Sequence, residues 1–330
     1  MTRVLVVGVP RSGTSWVGRV LGSTEGATYL GEPDNHEHTP FALKAKLGLP
    51  GYFYPAPDAG ADAYTRLWRS ALDTSTSIAE RRLSGVERAR RKLSLRLLHT
   101  ASEADLLHAL RTPSRALARL KLAAALAVPE RPAGPTDLLV VKSVHAQLAL
   151  EWIAERFPVR VLIVLRHPLN VLSSWKELGW LAGADADPLA ELDPRVRAEV
   201  AERIGAAPVD DADTPMTRAA WLVGLLTSVL LTHAEKHPDW AVVSHESLCE
   251  RPHELFSTVA SQLGLRWSAQ SDALLDELDR PGSGYETMRV ASDLAEIWRT
   301  RLTSDEVREA SAALVRFPVE DWTLSARAPR

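Results

Sequence analysis

Five short apolar runs without alternation recur along the chain, and helical patterns lie between them. Unbroken apolar runs are typical of strands buried on both faces of a parallel sheet. The predicted strands cover residues 4–9, 27–30, 138–141, 159–165 and 241–244. The predicted helices cover residues 14–21, 146–157, 171–180, 219–237, 253–263 and 304–315, the last with Ser304 as its N-cap. Strand and helix in alternation predict an α/β fold: a mostly parallel central sheet with helices on both faces.

Two segments interrupt this alternation. Residues 62–131 have a helical pattern and carry 14 Lys or Arg against 7 Asp or Glu, most of the charge lying at 81–96. A solvated helical face is the favoured interpretation, and a weak contact with an anionic partner is the alternative. Residues 182–215 are rich in Asp, Ala and Pro and predict an acidic excursion or lid. We therefore expect one domain over 1–330, with a helical insertion and a lid.

Composition excludes several classes of function. The formal net charge of −3 gives no reason to expect nucleic acid as a partner. A single cysteine, Cys249, excludes an intramolecular disulfide and a cysteine-based metal site, which favours a reducing compartment, the cytoplasm. The apolar run at 221–231 is too short to span a membrane. We expect a cytoplasmic protein without a membrane span.

A glycine-bracketed loop follows the first strand and opens the first helix. It reads GVPRSGTS over residues 8–15, and the amides from Ser12 to Ser15 are expected to converge on one point at the helix N-terminus, where an anion is favoured. The spacing fits the ATP-binding loop GxxxxGK[ST], but Thr14 stands where that loop has lysine. The missing lysine weakens a kinase or ATPase interpretation, and the cation of this loop is Arg11.

Polar residues also follow the other predicted strands. Arg166 ends a strand and Ser174 lies eight residues later in the next helix, so that the two can grip a phosphate. Glu32 precedes a proline at the end of the second strand, and Lys142 and His145 follow the third. Such strand ends line ligand crevices in open parallel sheets.

The segment PRSGTSW at 10–16 resembles the 5′-phosphosulfate loop of sulfotransferases that use 3′-phosphoadenosine 5′-phosphosulfate (PAPS). The resemblance implies a P-loop-like sulfotransferase fold over roughly 1–35, 136–180 and 240–320. It places PAPS binding on the loop residues Arg11, Ser12, Gly13, Thr14, Ser15 and Trp16. It implies that Arg166 and Ser174 bind the 3′-phosphate and that His245 contacts the adenine. It also implies that Arg289 and Arg299 make further basic contacts. No metal is expected.

Transfer of a sulfuryl group also needs cations and a base, and Arg11 and Lys142 supply the cations. Small-molecule sulfotransferases use a histidine in a Lys-Thr-His segment, and His145 is one residue out of step with that pattern. Tyrosylprotein and several carbohydrate sulfotransferases use a glutamate at the interval where Glu32 stands. Glu32 is the preferred base and His145 the second candidate.

Four functions remain open from the sequence. The first is PAPS-dependent transfer of a sulfuryl group to a hydroxyl of a small-molecule, glycan or lipid acceptor. The same fold with an aryl sulfate donor, a P-loop nucleotide kinase and a non-catalytic nucleotide-binding protein are the alternatives. Retention of Arg11, Glu32, Lys142, Arg166 and Ser174 together favours the first.

Overall fold

A five-stranded sheet forms the centre of the protein, and in the part of the chain that the structure describes every strand pair is parallel. The computed structural model describes residues 1–36, 42, 51–55, 62–73, 84–127, 136–182, 186–210, 213–281, 294–319 and 321–322. The strands are β1 (Thr2–Gly8), β2 (Ala27–Gly31), β3 (Leu138–Ser143), β4 (Arg160–Leu165) and β5 (Ala241–Ser244). Their order in the sheet is β2-β3-β1-β4-β5. The predicted α/β class is confirmed.

Helices cover both faces of this sheet. In chain order they are α1 (Thr14–Leu21), α2 (Asp62–Ala71), α3 (Gly85–His99), α4 (Glu103–Arg111), α5 (Ala118–Leu126), α6 (Leu150–Arg156), α7 (Pro168–Glu177), α8 (Pro194–Ile204), α9 (Pro215–Lys236), α10 (His245–Glu250), α11 (Pro252–Gln262), α12 (Ala269–Leu278), α13 (Trp298–Arg301) and α14 (Ser304–Leu314). One core packs α1, α11 and α12 on one side, and the other packs α2, α6, α7 and α9 on the opposite side. Alternate residues of the strands point into the two cores, which explains why most strand positions are apolar.

Two helices, α6 and α14, begin differently from the expectation. The helix expected over 146–157 begins as a 3₁₀ turn, Gln147–Ala149, and becomes α-helical at Leu150. The N-cap of α14 is Thr303, and the expected Ser304 is wrong. Thr303 accepts from the Glu306 amide while Glu306 accepts from the Thr303 amide, and this reciprocal capping box outcompetes a cap one residue later.

The long helix α9 is apolar on all sides. By length and composition it could cross a membrane, with a mean hydropathy of 1.3, but 78% of its most apolar window is buried inside the protein. Trp221, Leu225 and Leu226 lie in the core against the sheet. A helix that is apolar all round belongs in a protein interior or a bilayer, and here the protein covers it.

The two unusual segments are helical in their described parts. Of the segment expected to be an insertion, α2 contributes Tyr64, Leu67 and Trp68 to the central core, whereas α3 and α5 pack on each other. The basic residues of α3 are mostly exposed, and Arg81 and Arg82 lie outside the described residues. The acidic segment contains α8 and buries Leu189 and Leu192 in the core. The acidic segment is therefore anchored to the core.

Replacing Gly224 in α9 by alanine tests the packing of this core. Alanine normally stabilises a helix interior by up to about 1 kcal/mol relative to glycine. At Gly224 a Cβ would overlap the ring of Phe317, so we expect Gly224→Ala to destabilise the protein by about 1 to 3 kcal/mol in urea unfolding. Gly85→Ala, where a Cβ meets no atom within 4 Å, is the control and should be neutral or stabilising. Equal effects at both glycines would contradict this packing.

Candidate active site

The residues selected from the sequence form a row along one edge of the sheet. Because parallel strands end at the same edge, the residues that follow them become neighbours in strand order. From one side to the other the row contains Glu32 after β2, Lys142 and His145 at the end of β3, residues 8–15 after β1, Arg166 after β4 and His245 after β5. With strands about 4.8 Å apart, the row is roughly 20 Å long.

The loop between β1 and α1 presents backbone amides to this edge. Gly13, the N-cap of α1, has a left-handed backbone with φ of 89°, and no described side chain caps the helix. The amides of Thr14, Ser15 and Trp16 therefore lack the acceptor that a capped first turn supplies. Ser12 differs from the expectation, because its amide donates to the Val9 carbonyl at 2.9 Å. The amides left available to an anion are therefore those after Ser12.

His245 closes the back of this loop. Its imidazole is buried, and a Cβ at Gly13 would collide with it, which is why the loop needs glycine there. Trp16 contacts the ring edge to face at 5.7 Å. Burial, together with the charge of Arg166, holds the pKa of His245 well below its usual value, so the imidazole is neutral.

Arg166 and Arg11 converge beside the loop. The Arg11 Nε donates to the Ser174 hydroxyl at 3.0 Å, and the Arg166 Nη1 donates to the Arg11 carbonyl at 2.7 Å. Arg166 is buried, and its Nε has no hydrogen-bond partner among the described residues. Burial lowers the pKa of Arg166 against the opposing effect of Glu246. A buried guanidinium with an unused donor is a site for an anion.

Two charged residues of this group were missed in the sequence. Glu246 is buried, faces Arg166, and accepts from the Asn170 side chain at 2.9 Å. Arg301 adds a positive charge close enough to lower the pKa of Arg166, and it pairs with Glu177 at 2.7 Å. The sequence feature that could have indicated Arg301 is its position two residues after the candidate Arg299, in the same helical turn.

Two basic residues were expected from the C-terminal part, and the structure describes one of them, Arg299. Arg299 is exposed, pairs with Glu296 at 3.0 Å and stacks on Trp298, so its guanidinium points to solvent and not to Arg166. Arg289 lies outside the described residues. Arg301 takes the position near Arg166 that was expected for Arg299.

Glu32 and Lys142 form an ion pair on the other side of the loop. Lys142 is buried on the face of the sheet covered by α1, and its ammonium donates to one carboxylate oxygen of Glu32 while Asn35 donates to the other. Burial raises the pKa of Glu32, but the charge and hydrogen bond of Lys142 outweigh it and lower the pKa to about 2. Glu32 is therefore ionised at neutral pH and holds Lys142 in place.

His145 lies close to this pair despite its shifted sequence position. Its charge contributes to the lowered pKa of Glu32, and its ring lies 5.4 Å from that of Tyr52 and 6.4 Å from that of His36. The strand ends at Ser143, whose hydroxyl accepts from the His145 amide at 3.0 Å, so strand alternation no longer decides where the side chain points. The row thus has a carboxylate and imidazole side and a guanidinium side.

Backbone strain is concentrated in this row. Among the described residues, Arg11 and Glu32 are the non-glycine residues with positive φ, at 73° and 51°. A left-handed backbone costs an L-residue about 1 to 2 kcal/mol, and such strain is characteristic of functional sites. Among the same residues, no group of three or more His, Cys, Asp or Glu is arranged to hold a metal ion.

The comparison with family models decides the family to which the chain belongs. The model described as the sulfotransferase family matches residues 3–269, which is most of the chain and includes every strand. The chain belongs to the sulfotransferase family. The sheet and loop of this sulfotransferase are accordingly the P-loop-like fold that the loop motif implied. No curated protein matches it.

The solved structures that are similar to this sulfotransferase include three sulfotransferases of low identity. The sulfotransferase domain from the Synechococcus PCC 7002 olefin synthase has 16% identity and a TM-score of 0.42, covering 94% of each chain. The sulfotransferase domain from the curacin biosynthetic pathway has 15% identity and a TM-score of 0.41, covering 94% of this chain and 96% of that one. Sulfotransferase STF9 from Mycobacterium avium has 15% identity and a TM-score of 0.40, covering 98% and 78%.

Replacing Glu32 by glutamine tests the ion pair in this sulfotransferase. Because folding lowers the pKa of Glu32, its stabilisation is fully present above the ordinary value of 4.5 and is lost as the pH falls towards about 2. At pH 7 we expect Glu32→Gln to be less stable by about 3 kcal/mol, since Lys142 loses its buried counter-charge. Urea unfolding near pH 3 should show that difference reduced by about half.

The control for this prediction is Glu254→Gln, which removes an exposed carboxylate that pairs with Arg251. An exposed pair contributes at most about 1 kcal/mol, so this variant should differ little from the wild type at either pH. A stability difference for Glu32→Gln that does not change with pH would contradict the lowered pKa.

Proposed function

We propose that this sulfotransferase transfers a sulfuryl group from PAPS to a hydroxyl of its acceptor. The observation that carries the proposal is the pair of anion sites on one sheet edge. One is formed by the amides of α1, and the other by Arg166, Arg11 and Ser174. A donor with phosphates at two separate positions needs two such sites, whereas a donor with a single anionic group needs one.

The residues fit such a donor. The unpartnered Nε of buried Arg166 supports a phosphate contact there, with Ser174 and Arg301 beside it. The first-turn amides of α1, with the Gly13 backbone pressed on His245, support a second phosphate contact. When bound, PAPS supplies an activated sulfuryl group on its 5′-phosphate. Arg11 and Lys142 are the cations placed to offset the charge that develops there during transfer.

The ion pair changes the balance between the two candidate bases. A carboxylate with a pKa of about 2 is a weak proton acceptor, and both oxygens of Glu32 already accept hydrogen bonds. His145 lies beside it with an Nδ1 that has no hydrogen-bond partner among the described residues. We therefore assign the acceptor's proton to His145, and to Glu32 the task of holding Lys142.

Two further features of the protein are proposals of the same kind. Cys249, the single cysteine, is buried, which fits a reducing compartment such as the cytoplasm. The exposed basic face of α3 is available for weak contact with an anionic partner, although solvation alone accounts for it.

Transfer itself is tested by incubating the protein with PAPS and an extract of small molecules, glycans and lipids. We expect mass spectrometry to find an extract component that gains one sulfuryl group only when both protein and PAPS are present. The gain identifies the acceptor. A component that is labelled when an aryl sulfate replaces PAPS, and not with PAPS, would overturn the donor assignment.

The donor assignment is tested separately by Arg166→Ala. We expect the wild type to bind 3′-phosphoadenosine 5′-phosphate more tightly than AMP. A charge-assisted phosphate contact contributes about 1.5 to 3 kcal/mol, so the variant should lose at least tenfold of that preference in calorimetry.

The matched control for Arg166→Ala is Arg308→Ala, which removes an exposed arginine paired with Asp305 on α14. This variant should keep the preference for the 3′-phosphate. Equal wild-type affinity for the two nucleotides, or tight magnesium-dependent ATP binding, would contradict the proposal and favour the nucleotide kinase.

A further inference from the structure

The acidic segment brings a further carboxylate to the carboxylate and imidazole side of the row. Leu189 and Leu192 are buried in the core, and Asp187 pairs with Arg218 of α9 at 2.7 Å. Between these anchors, the carbonyl of Glu191 accepts from the Tyr52 amide at 3.2 Å. Contacts on both sides therefore fix the backbone of Glu191. They also fix the point from which its side chain extends.

The carboxylate of Glu191 reaches His145. Its Oε2 lies 3.6 Å from the His145 Nε2, an ion-pair distance that is longer than a hydrogen bond. Hydrogen bonds of catalytic groups are often long without substrate and tighten in the complex. A Cβ at Gly51 would collide with the Glu191 carboxylate, so glycine at position 51 leaves room for this carboxylate beside His145. Three separate segments of the chain meet at this contact.

The two ring nitrogens of His145 have different surroundings. Nε2 faces the Glu191 carboxylate, whereas Nδ1 is enclosed and has no hydrogen-bond partner among the described residues. A proton on Nδ1 would be a buried donor without an acceptor, which is costly, whereas a proton on Nε2 faces a negative charge. The surroundings therefore favour the tautomer with the proton on Nε2.

We infer that Glu191 is a positioning residue that holds His145 in the tautomer protonated on Nε2 and leaves Nδ1 as the proton acceptor. The inference rests on the proposed function. As the acceptor oxygen bonds to sulfur and the sulfur–oxygen bond to the donor phosphate breaks, the acceptor's proton passes to Nδ1. The charge that the ring gains then lies beside the Glu191 carboxylate.

Nitrogen NMR of the unliganded protein tests the tautomer without any substrate. With ¹⁵N-labelled histidine, and with His145→Asn to assign its signals among the 10 His of the chain, we expect the wild-type ring above neutral pH to be protonated on Nε2. Glu191→Ala should give a mixture of tautomers. Glu202→Ala, an exposed glutamate of α8, is the control and should leave the spectrum of His145 unchanged. An unchanged tautomer in Glu191→Ala would overturn the inference.

Kinetics with the acceptor found by the transfer experiment test the consequence. We expect Glu191→Ala to lower kcat at least tenfold with donor KM and nucleotide affinity unchanged, and Glu191→Gln, which keeps an acceptor oxygen, to recover part of it. In the background of His145→Ala, removing Glu191 should cost nothing further. If the loss of kcat in the double variant equals the product of the losses in the two single variants, Glu191 does not act through His145.

These outcomes separate the inference from the function on which it rests. If the wild type binds no 3′-phosphoadenosine 5′-phosphate and transfers no sulfuryl group, the proposed function is wrong, and the tautomer measurement still decides whether Glu191 positions His145. If the wild type transfers and Glu191→Ala matches it within twofold, the function stands and the role of Glu191 is wrong.

Discussion

The parallel register of β1 with its two neighbours is the constraint on which the rest of the site depends. Val6 lies opposite Lys142 on one side and Gly8 opposite Val164 on the other. A slip of one residue between β1 and β3 would turn Lys142 to the other face of the sheet, away from α1 and Glu32. The apolar residues on both faces prevent that slip, because it would also move each buried side chain of the strand into the core on the opposite face of the sheet. Core packing therefore fixes the position of the Lys142 charge.

The two buried cations of the site each have a carboxylate nearby. Lys142 has Glu32, and Arg166 has Glu246. A buried charge without a counter-charge is strongly destabilising, whereas a paired one is tolerated. The carboxylates thus allow the sheet edge to keep its cations in place when no anion is bound. The exception is the Nε of Arg166, which the described residues leave without an acceptor.

The fold class and the loop could be predicted because each depends on local sequence, whereas the grouping of Arg11 with Arg166 and Ser174 was expected from the family resemblance. Apolar runs predict buried strands, and glycine, arginine and serine at fixed intervals predict an anion site. The strand order, and with it the separation of the Glu32 side from the Arg166 side, depends on tertiary packing that no local pattern encodes. The shift of His145 by one residue suggested a side chain turned away, but strand alternation stops at Ser143. Glu191 lay in a segment whose composition indicated a lid, and its contact with His145 arises from anchors at either end.

The burial of α9 has a consequence for how the chain is made. The ribosome synthesises β1 to β4 before it synthesises this helix. The strands of the sheet face that α9 covers are therefore made before α9 is. Until α9 arrives, that face is covered only in part, by α2, α6 and α7, and a nascent chain stalled before residue 215 would expose the apolar surface that α9 buries, a surface of the kind that chaperones bind. Synthesis beyond α9 is thus the point at which the nascent chain can complete the cover of this face.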